Sequence, residues 1–362
     1  MNKAIGSQLN VLHVITTLDM GGAENQLLLL VREQIKLGYK VRVVPLKGSN
    51  ELEAKFLKCG ASVDSDFINQ GYLYQIRKLI KLVKQFDVVH AHLPKSELAC
   101  ALANPKVLIV SKHNCELFWP RGPRLLSRAL SLLVQSRTNC FIAISHTVKK
   151  FLIANGEASS HKLSVVCYGY DATIACQPQS VEEAISGYPI IGTISRLVPQ
   201  KDLWTLLRGF KQLTMTFPKA VLVVIGDGPL NSKLKNYSNE LEIFQNIVWL
   251  GRRNNVLDYL GKLDVFVMSS LYEGFGLVLL EAMSKEVPVI ASRNDAFCEI
   301  LGDSSTQLFP IGDYQSLYLS IIATLDSEKR SQVLQNQKQI LLRYSSQSMI
   351  RDMERVYLKV LH

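Results

Sequence analysis

Nowhere in the 362 residues do 18 apolar residues run together, so the sequence holds no candidate spanning helix. The opening stretch MNKAIGSQLNVLHVITT has an apolar run of only about five residues, too short for a signal-peptide core, and secretion is not expected. Cysteine is scarce: the seven residues stand far apart, with no C-x-x-C pair and no Cys/His cluster at zinc spacing. Their odd number and spread exclude a disulfide framework and a zinc module and point to reduced, buried thiols in a cytosolic protein. Charged residues make up 20% and apolar ones 48%, which excludes a disordered or fibrous chain.

At about 100 to 200 residues per domain, the length argues for two domains, and a cleft between them is the default place for a site. The formal charge of +10 is spread unevenly. Residues 1–186 carry 22 Lys and Arg against 14 acids, a net +8, whereas residues 187–362 carry 19 against 17, a net +2. A basic half suits nucleic acid, an anionic membrane or an anionic substrate.

Short β-branched runs alternate with amphipathic stretches along the chain. VLHVIT precedes a helix over residues 23–37, and KVRVVPL precedes a helix over 52–59 and then ASVD. A helix over 73–86 leads to DVVHAH, a helix after Lys95 to KVLIVSKHN, and a helix over 124–136 to CFIAIS. This is βαβ grammar, which implies an α/β fold with a parallel, doubly wound sheet. Residues 173–187, with Gln177, Pro178, Gln179 and Ser180, read as a linker between a first domain (1–172) and a second (188–345). PIIGTIS, AVLVVIGD, NIVWLG, VFVMSS and VPVIAS restart the alternation, so the second domain is another Rossmann-like unit. A last helix over 346–362 is expected to cross back to the first domain.

In open parallel sheets, ligands bind beyond the carboxyl ends of strands. After the first strand, Gly21 and Gly22 in DMGGAE suit either a tight turn or a close backbone approach to a ligand as a helix begins. In GTISRLVPQKD, Arg196 and Lys201 lie five residues apart on a loop that Pro199 keeps out of helix. A planar fork and a mobile point charge together suit a diphosphate. Two strands later, SSLYEGFGLVLLEAMSKE sets Glu273 on a loop and Glu281 on the helix that follows. Gly274 and Gly276 leave backbone N–H groups open, and the helix start favours an anion. Glu281, within an apolar run, needs a hydroxyl or cationic partner.

These residues resemble the retaining glycosyltransferases of family 4 (glycosyl transferases group 1), which have the two-domain GT-B fold, and the resemblance spans nearly the whole chain. The E-x(7)-E segment EGFGLVLLE carries it, with GTISRLVPQKD, GDGP (Gly226 to Pro229) and LDMGGAE in the same order. The resemblance implies that Arg196 and Lys201 bind the donor diphosphate and stabilise the leaving nucleotide, and that Glu281 holds the ribose hydroxyls. It implies that Glu273, with the N–H groups of Gly274, Phe275 and Gly276 and the adjacent Leu277, grips the transferred sugar. Asp227 and Gly228, with the turn Leu250-Gly251-Arg252, are placed near the nucleoside, and Gly21 and Gly22 join the donor set. Fixed cations and a helix dipole suit an oxocarbenium-like sugar leaving a dianion, so neither a metal nor a separate cofactor is expected. No Asp-x-Asp is expected at an apolar strand end. His113, where the family carries a histidine facing the cleft, is the catalytic candidate alongside Glu273, Arg196 and Lys201, positioning the sugar or relaying the acceptor proton as a neutral imidazole. Only one of His90 and His92 is expected to face the cleft.

The family's first domain binds the acceptor. The helix LYQIRKLIKLVKQF puts Leu73, Ile76, Leu79, Ile80 and Val83 on one face and Arg77, Lys78, Lys81 and Lys84 on others, a pattern shared by ordinary domain helices and helices lying on anionic lipid. Arg121, Arg124 and Arg128 add a second basic segment, and the charge asymmetry tips the expectation toward work at the inner face of the cell membrane. The implied function is transfer of a hexose from a UDP- or GDP-sugar to a glycan or lipid-linked acceptor of a cell-surface polysaccharide, lipopolysaccharide or glycolipid. A GT-B nucleotide-sugar epimerase would bring further acid/base residues, and a non-catalytic glycan-binding subunit would show eroded donor residues. No nucleic-acid-binding motif accompanies the charge. The chain departs from its relatives in Asp295 and Ala296, where glycines are usual, and in Tyr168-Gly169-Tyr170-Asp171, where N-G-V-D is usual.

Overall fold

Every strand pairing is parallel, which is why the strands read as near-continuous apolar runs instead of alternating ones. The computed structural model describes residues 9–120, 122–171, 185–253 and 255–361. The expected linker falls largely outside the described residues, as do Cys176 and Arg121. The chain divides into one unit of Met1–Gly169 with Tyr344–His362 and another of Tyr170–Arg343.

The first unit's strands are β1 (Asn10–Ile15), β2 (Lys40–Pro45), β3 (Ser62–Val63), β4 (Val88–His92), β5 (Leu108–Lys112), β6 (Cys140–Ala143) and β7 (Leu163–Val165), in the order β3-β2-β1-β4-β5-β6-β7. The second unit's are β8 (Ile190–Ile194), β9 (Val221–Ile225), β10 (Ile247–Gly251), β11 (Val265–Met268), β12 (Val289–Ser292) and β13 (Leu308–Phe309), in the order β10-β9-β8-β11-β12-β13. Each order reverses once, between β1 and β4 and between β8 and β11. At such a switch point the connections leave in opposite directions and open a crevice at the carboxyl ends.

Two strands, β7 and β13, had no counterpart among the expected ones, because three and two residues are too few to show a period. The helix Ser346–Leu361 turns Met349, Ile350, Met353, Val356 and Tyr357 inward, where they join a core with Leu27 to Val31 of the helix Gly22–Lys36. The expected apolar face of the third helix is only partly buried. Ile76, Leu79 and Val83 face the interior, whereas Leu73 is 72% and Ile80 39% exposed, since both fall beside that stripe at 100° per residue. The thiols also depart from expectation: Cys100 and Cys140 are buried, but Cys59, Cys115, Cys167 and Cys298 are only half-buried.

Candidate functional site

In the second unit, the expected donor residues collect at the carboxyl ends of four neighbouring strands, β10, β9, β8 and β11. Backbone bonds knit the rim together: Gly226 N–H donates to Gly251 O at 2.8 Å, Leu197 N–H to Asp227 O at 3.0 Å, and Leu271 N–H to Gln200 O at 2.8 Å. Gly226, at φ +129°, sits so tightly that an added Cβ would lie 1.9 Å from Ser195 O, so only glycine fits. Asp227 is exposed and turned back on its own loop. Its Oδ1 accepts from Gly228 N–H at 2.7 Å and Asn231 Nδ2 at 2.9 Å, and these bonds hold its carboxyl below the usual carboxylate range.

Pro199 does not keep its segment out of helix: Pro199–Lys201 is a short 3-10 turn, a conformation in which proline suits the first position. Arg196, just before it, is exposed and has no side-chain partner among the described residues. Lys201 and Glu273, read separately from the sequence, form an ion pair with each other, both side chains largely buried. Ser270 Oγ donates to the same Glu273 oxygen at 2.7 Å. Gly276, at φ +114°, starts the helix Leu277–Ser284, and an added Cβ there would meet the Phe297 ring at 2.8 Å.

Glu281 lies on that helix between Leu280 and Ala282, and its carboxylate has no partner among the described residues. Burial pushes its carboxyl up to about 7. Tyr170, from the unusual Tyr-Gly-Tyr-Asp stretch, donates to Ser284 Oγ at 2.6 Å on the same helix. Asn294 caps the helix Asp295–Leu301 and donates to Ser270 O at 3.0 Å, so the departures at Asp295 and Ala296 leave this part of the rim supported.

In the first unit, Gly21 caps the helix Gly22–Lys36, and Glu24 folds back so closely that a Cβ on Gly21 would lie 2.3 Å from its carboxylate. Thr17 Oγ1 donates to the same carboxylate at 2.7 Å. His113 is half-buried just beyond β5, with Nε2 3.2 Å from His92 Nδ1 and Nδ1 2.5 Å from Tyr168 Oη. Burial, reinforced by the adjacent Lys112 charge, pushes its imidazole down to about 3, so the ring is neutral at working pH. Lys112 itself turns to the other side of the strand and pairs with buried Glu97 at 2.6 Å.

The expectation for His90 and His92 is overturned. Residues two apart on a strand share a face, and both rings lie on the same one, stacked with centroids 4.2 Å apart. His13 on β1 joins them, so that His13, His90 and His92 bring ring nitrogens within 4.8 Å of one another, close enough for a shared cation. All six nitrogens, however, already lie at hydrogen-bond distance from Gln34, Tyr357, Ser111, His113 or each other. Burial drives His13 down to about 4 and holds His90 and His92 well below the ordinary imidazole value. The expectation about Asp-x-Asp also fails: Asp64 and Asp66 follow β3, Asp64 lying 3.7 Å from Arg42 and Asp66 3.9 Å from Lys78.

The helix Arg124–Arg137 buries Ser127, Ser131 and Val134 and turns its leucines outward. Leu125 is 88% exposed, and Leu126 and Leu132 are about half exposed, beside Arg124 and Arg128. Among the described residues, no helix is long and apolar enough to cross a membrane.

Residues 20–174 match the family model described as Glycosyltransferase Family 4, and residues 178–340 match the one described as Glycosyl transferases group 1. The chain is 27% identical over 273 residues to the UDP-Gal:α-D-GlcNAc-diphosphoundecaprenol α-1,3-galactosyltransferase of Escherichia coli, covering 71% of this chain and 70% of that one. It is 40% identical over 236 residues to an uncharacterised glycosyltransferase of Methanocaldococcus jannaschii, covering 59% and 58% respectively. Anabaena HepE, solved with UDP and glucose, superposes with a TM-score of 0.81 at 19% identity over 96% of this chain and 98% of its own.

Proposed function

The chain belongs to glycosyltransferase family 4, with the two Rossmann-like units of the GT-B fold, and on that premise we propose that it transfers a hexose from UDP- or GDP-sugar, with retention, to a glycan or lipid-linked acceptor. It is a glycosyltransferase, and its relatives include the Escherichia coli galactosyltransferase. The observation that carries the donor assignment is the grouping at the β8/β11 switch point: exposed Arg196, the Lys201–Glu273 pair and partnerless Glu281 on the adjoining helix.

In this reading, the sugar–phosphate bond breaks with its electrons passing to the diphosphate, whose growing charge Arg196 and Lys201 stabilise. Glu281 accepts from the ribose hydroxyls, which give hydrogen bonds to a half-buried carboxylate that otherwise lacks them. Glu273 and the N–H groups of Gly274 to Gly276 hold the sugar. The acceptor oxygen bonds to the anomeric carbon and gives up its proton, with neutral His113 positioning the reacting groups and no metal taking part.

Calorimetric titration with UDP, GDP, ADP and their sugar conjugates in EDTA tests this reading. One nucleoside diphosphate should bind with clear preference, and Arg196→Ala should weaken it at least tenfold, as expected for loss of a charge-assisted bond. Equal or absent binding of all three, or an unaffected Arg196→Ala variant, would refute the donor site.

An anionic membrane at the cytoplasmic face is the proposed partner of the first unit. The outward leucines beside Arg124 and Arg128 support it, since apolar area and basic charge act together at lipid surfaces. The protein should float with phosphatidylglycerol vesicles, and Leu125→Glu should abolish flotation; equal flotation of the variant would sink the idea.

A further inference from the structure

Eight polar side chains of the first unit form one continuous string. Tyr168 Oη lies 2.5 Å from His113 Nδ1, His113 Nε2 3.2 Å from His92 Nδ1, and His92 Nε2 3.0 Å from His13 Nδ1. His13 Nε2 lies 2.8 Å from Gln34 Oε1, and Gln34 Nε2 donates to Tyr357 Oη at 3.1 Å. Tyr357 Oη is 2.8 Å from His90 Nδ1, and His90 Nε2 is 2.7 Å from Ser111 Oγ. The string is drawn from β1, β4, the end of β5, two helices and the segment after β7, and Gln34, His13 and His90 are fully buried within it.

A neutral imidazole has one N–H and one lone pair, so each ring must donate on one side and accept on the other. Burial keeps all four rings neutral. An amide oxygen can only accept and an amide nitrogen only donate, so Gln34 fixes the direction of every bond on both of its sides. With its oxygen on His13, the ring of His13 donates from Nε2 and accepts at Nδ1 from His92 Nε2–H. His92 in turn accepts at Nδ1 from His113 Nε2–H, and His113 Nδ1 accepts from the Tyr168 hydroxyl. On the other side, Gln34 donates to Tyr357, Tyr357 to His90 Nδ1, and His90 Nε2–H to Ser111. Turning the amide over would reverse all seven bonds together, so the string has two states and one residue selects between them.

We propose that Gln34, acting through His13 and His92, is the positioning residue that holds His113 as the Nε2–H tautomer with its Nδ1 lone pair on Tyr168. Which ring nitrogen carries the proton is set by the bond that the other nitrogen makes, and here that rule is applied three times in series. The consequence for catalysis rests on the reading of His113 given above, whereas the tautomer assignment does not. A ring that samples both tautomers offers the reacting groups a donor and an acceptor in varying places, and transfer slows while nucleotide binding does not.

Long-range 1H–15N correlation spectra of the intact protein labelled with [15N]histidine test the assignment directly. His13, His90, His92 and His113 should all appear as neutral Nε2–H tautomers; a His113 protonated at Nδ1, or rings of mixed tautomer, would overturn the proposal whether or not any variant folds. Gln34→Met keeps the side-chain length and removes both amide groups. It should shift the His113 nitrogens toward the averaged values of two tautomers and lower kcat about tenfold or more with KM for the nucleotide sugar within about twofold, the scale seen when a supporting hydrogen bond is lost. A folded Gln34→Met protein with the wild-type His113 spectrum would overturn the proposal. A shifted spectrum with unchanged kcat would leave the string standing and remove His113 from the reaction.

Discussion

The two units share the order of six strands, yet one polar cluster in each is satisfied in an opposite way. In the first, four histidines, two tyrosines, Gln34 and Ser111 satisfy one another almost completely within the core. In the second, half-buried Glu281 has no hydrogen-bond or ion-pair partner among the described residues, and Arg196 projects from the rim without one. A satisfied network gives rigidity and a defined geometry, and an unsatisfied carboxylate keeps binding energy in reserve for whatever ligand completes it. On the proposed function, the first unit presents a fixed arrangement, and the second gains order and stability when the donor binds.

Substitutions should separate those two characters. His113→Ala should lower kcat about a hundredfold, at the lower end for loss of a group assisting proton transfer, while the nucleotide Kd stays within about twofold. Glu281→Ala should do the converse, raising the nucleotide Kd roughly tenfold or more through loss of bonds to a charged acceptor. Parallel losses in both parameters for both variants would erase the distinction. Because the ionised carboxylate is the better acceptor, wild-type affinity should rise with pH through about 7, and Glu281→Gln should flatten that rise; an identical profile in the variant would contradict the ribose assignment.

The smallest effect concerns stability without nucleotide, where the units pull in opposite directions. Glu281 holds its proton more tightly folded than unfolded, so its contribution is favourable at low pH and is lost as pH rises through about 7. The histidines hold theirs less tightly, so their contribution is present above the ordinary imidazole range and is lost as pH falls toward about 4 at His13 and about 3 at His113. Glu281→Gln should accordingly stabilise the protein more at pH 7.5 than at pH 5 in denaturant unfolding, by a difference of order 1–3 kcal/mol at most. An equal change at both pH values would show that the carboxyl is not strained when ionised.

The second unit's site was far more legible in the sequence than the first unit's. Arg196 and Lys201, or Glu273 and Glu281, lie within one strand–loop–helix segment each, so their spacing alone places them on one rim. The pairing of Lys201 with Glu273 was not legible, because it joins segments 72 residues apart. The histidine string was hidden for the same reason at larger scale: Gln34 and Tyr357 are 323 residues apart, and a glutamine inside an amphipathic helix reads as an ordinary polar position. For His90 and His92, the sequence did hold the answer in the two-residue period of a strand, which puts them on one face. Parallel pairing followed from the βαβ alternation, whereas β7 and β13 are defined by pairing to neighbours and not by any pattern of their own.

The return of the helix Ser346–Leu361 to the first unit has a consequence for the order of synthesis. Gly169 and Tyr344, which bound the excursion through the second unit, are 175 positions apart, an interval of roughly 10 to 35 seconds at 5–20 residues per second. During that interval the nascent first unit carries Leu27 to Val31 without the methionines, isoleucine and tyrosine that will cover them, and Gln34 without Tyr357. The unit that leaves the ribosome first is thus the last to be finished, and its core closes only after the second unit has been synthesised.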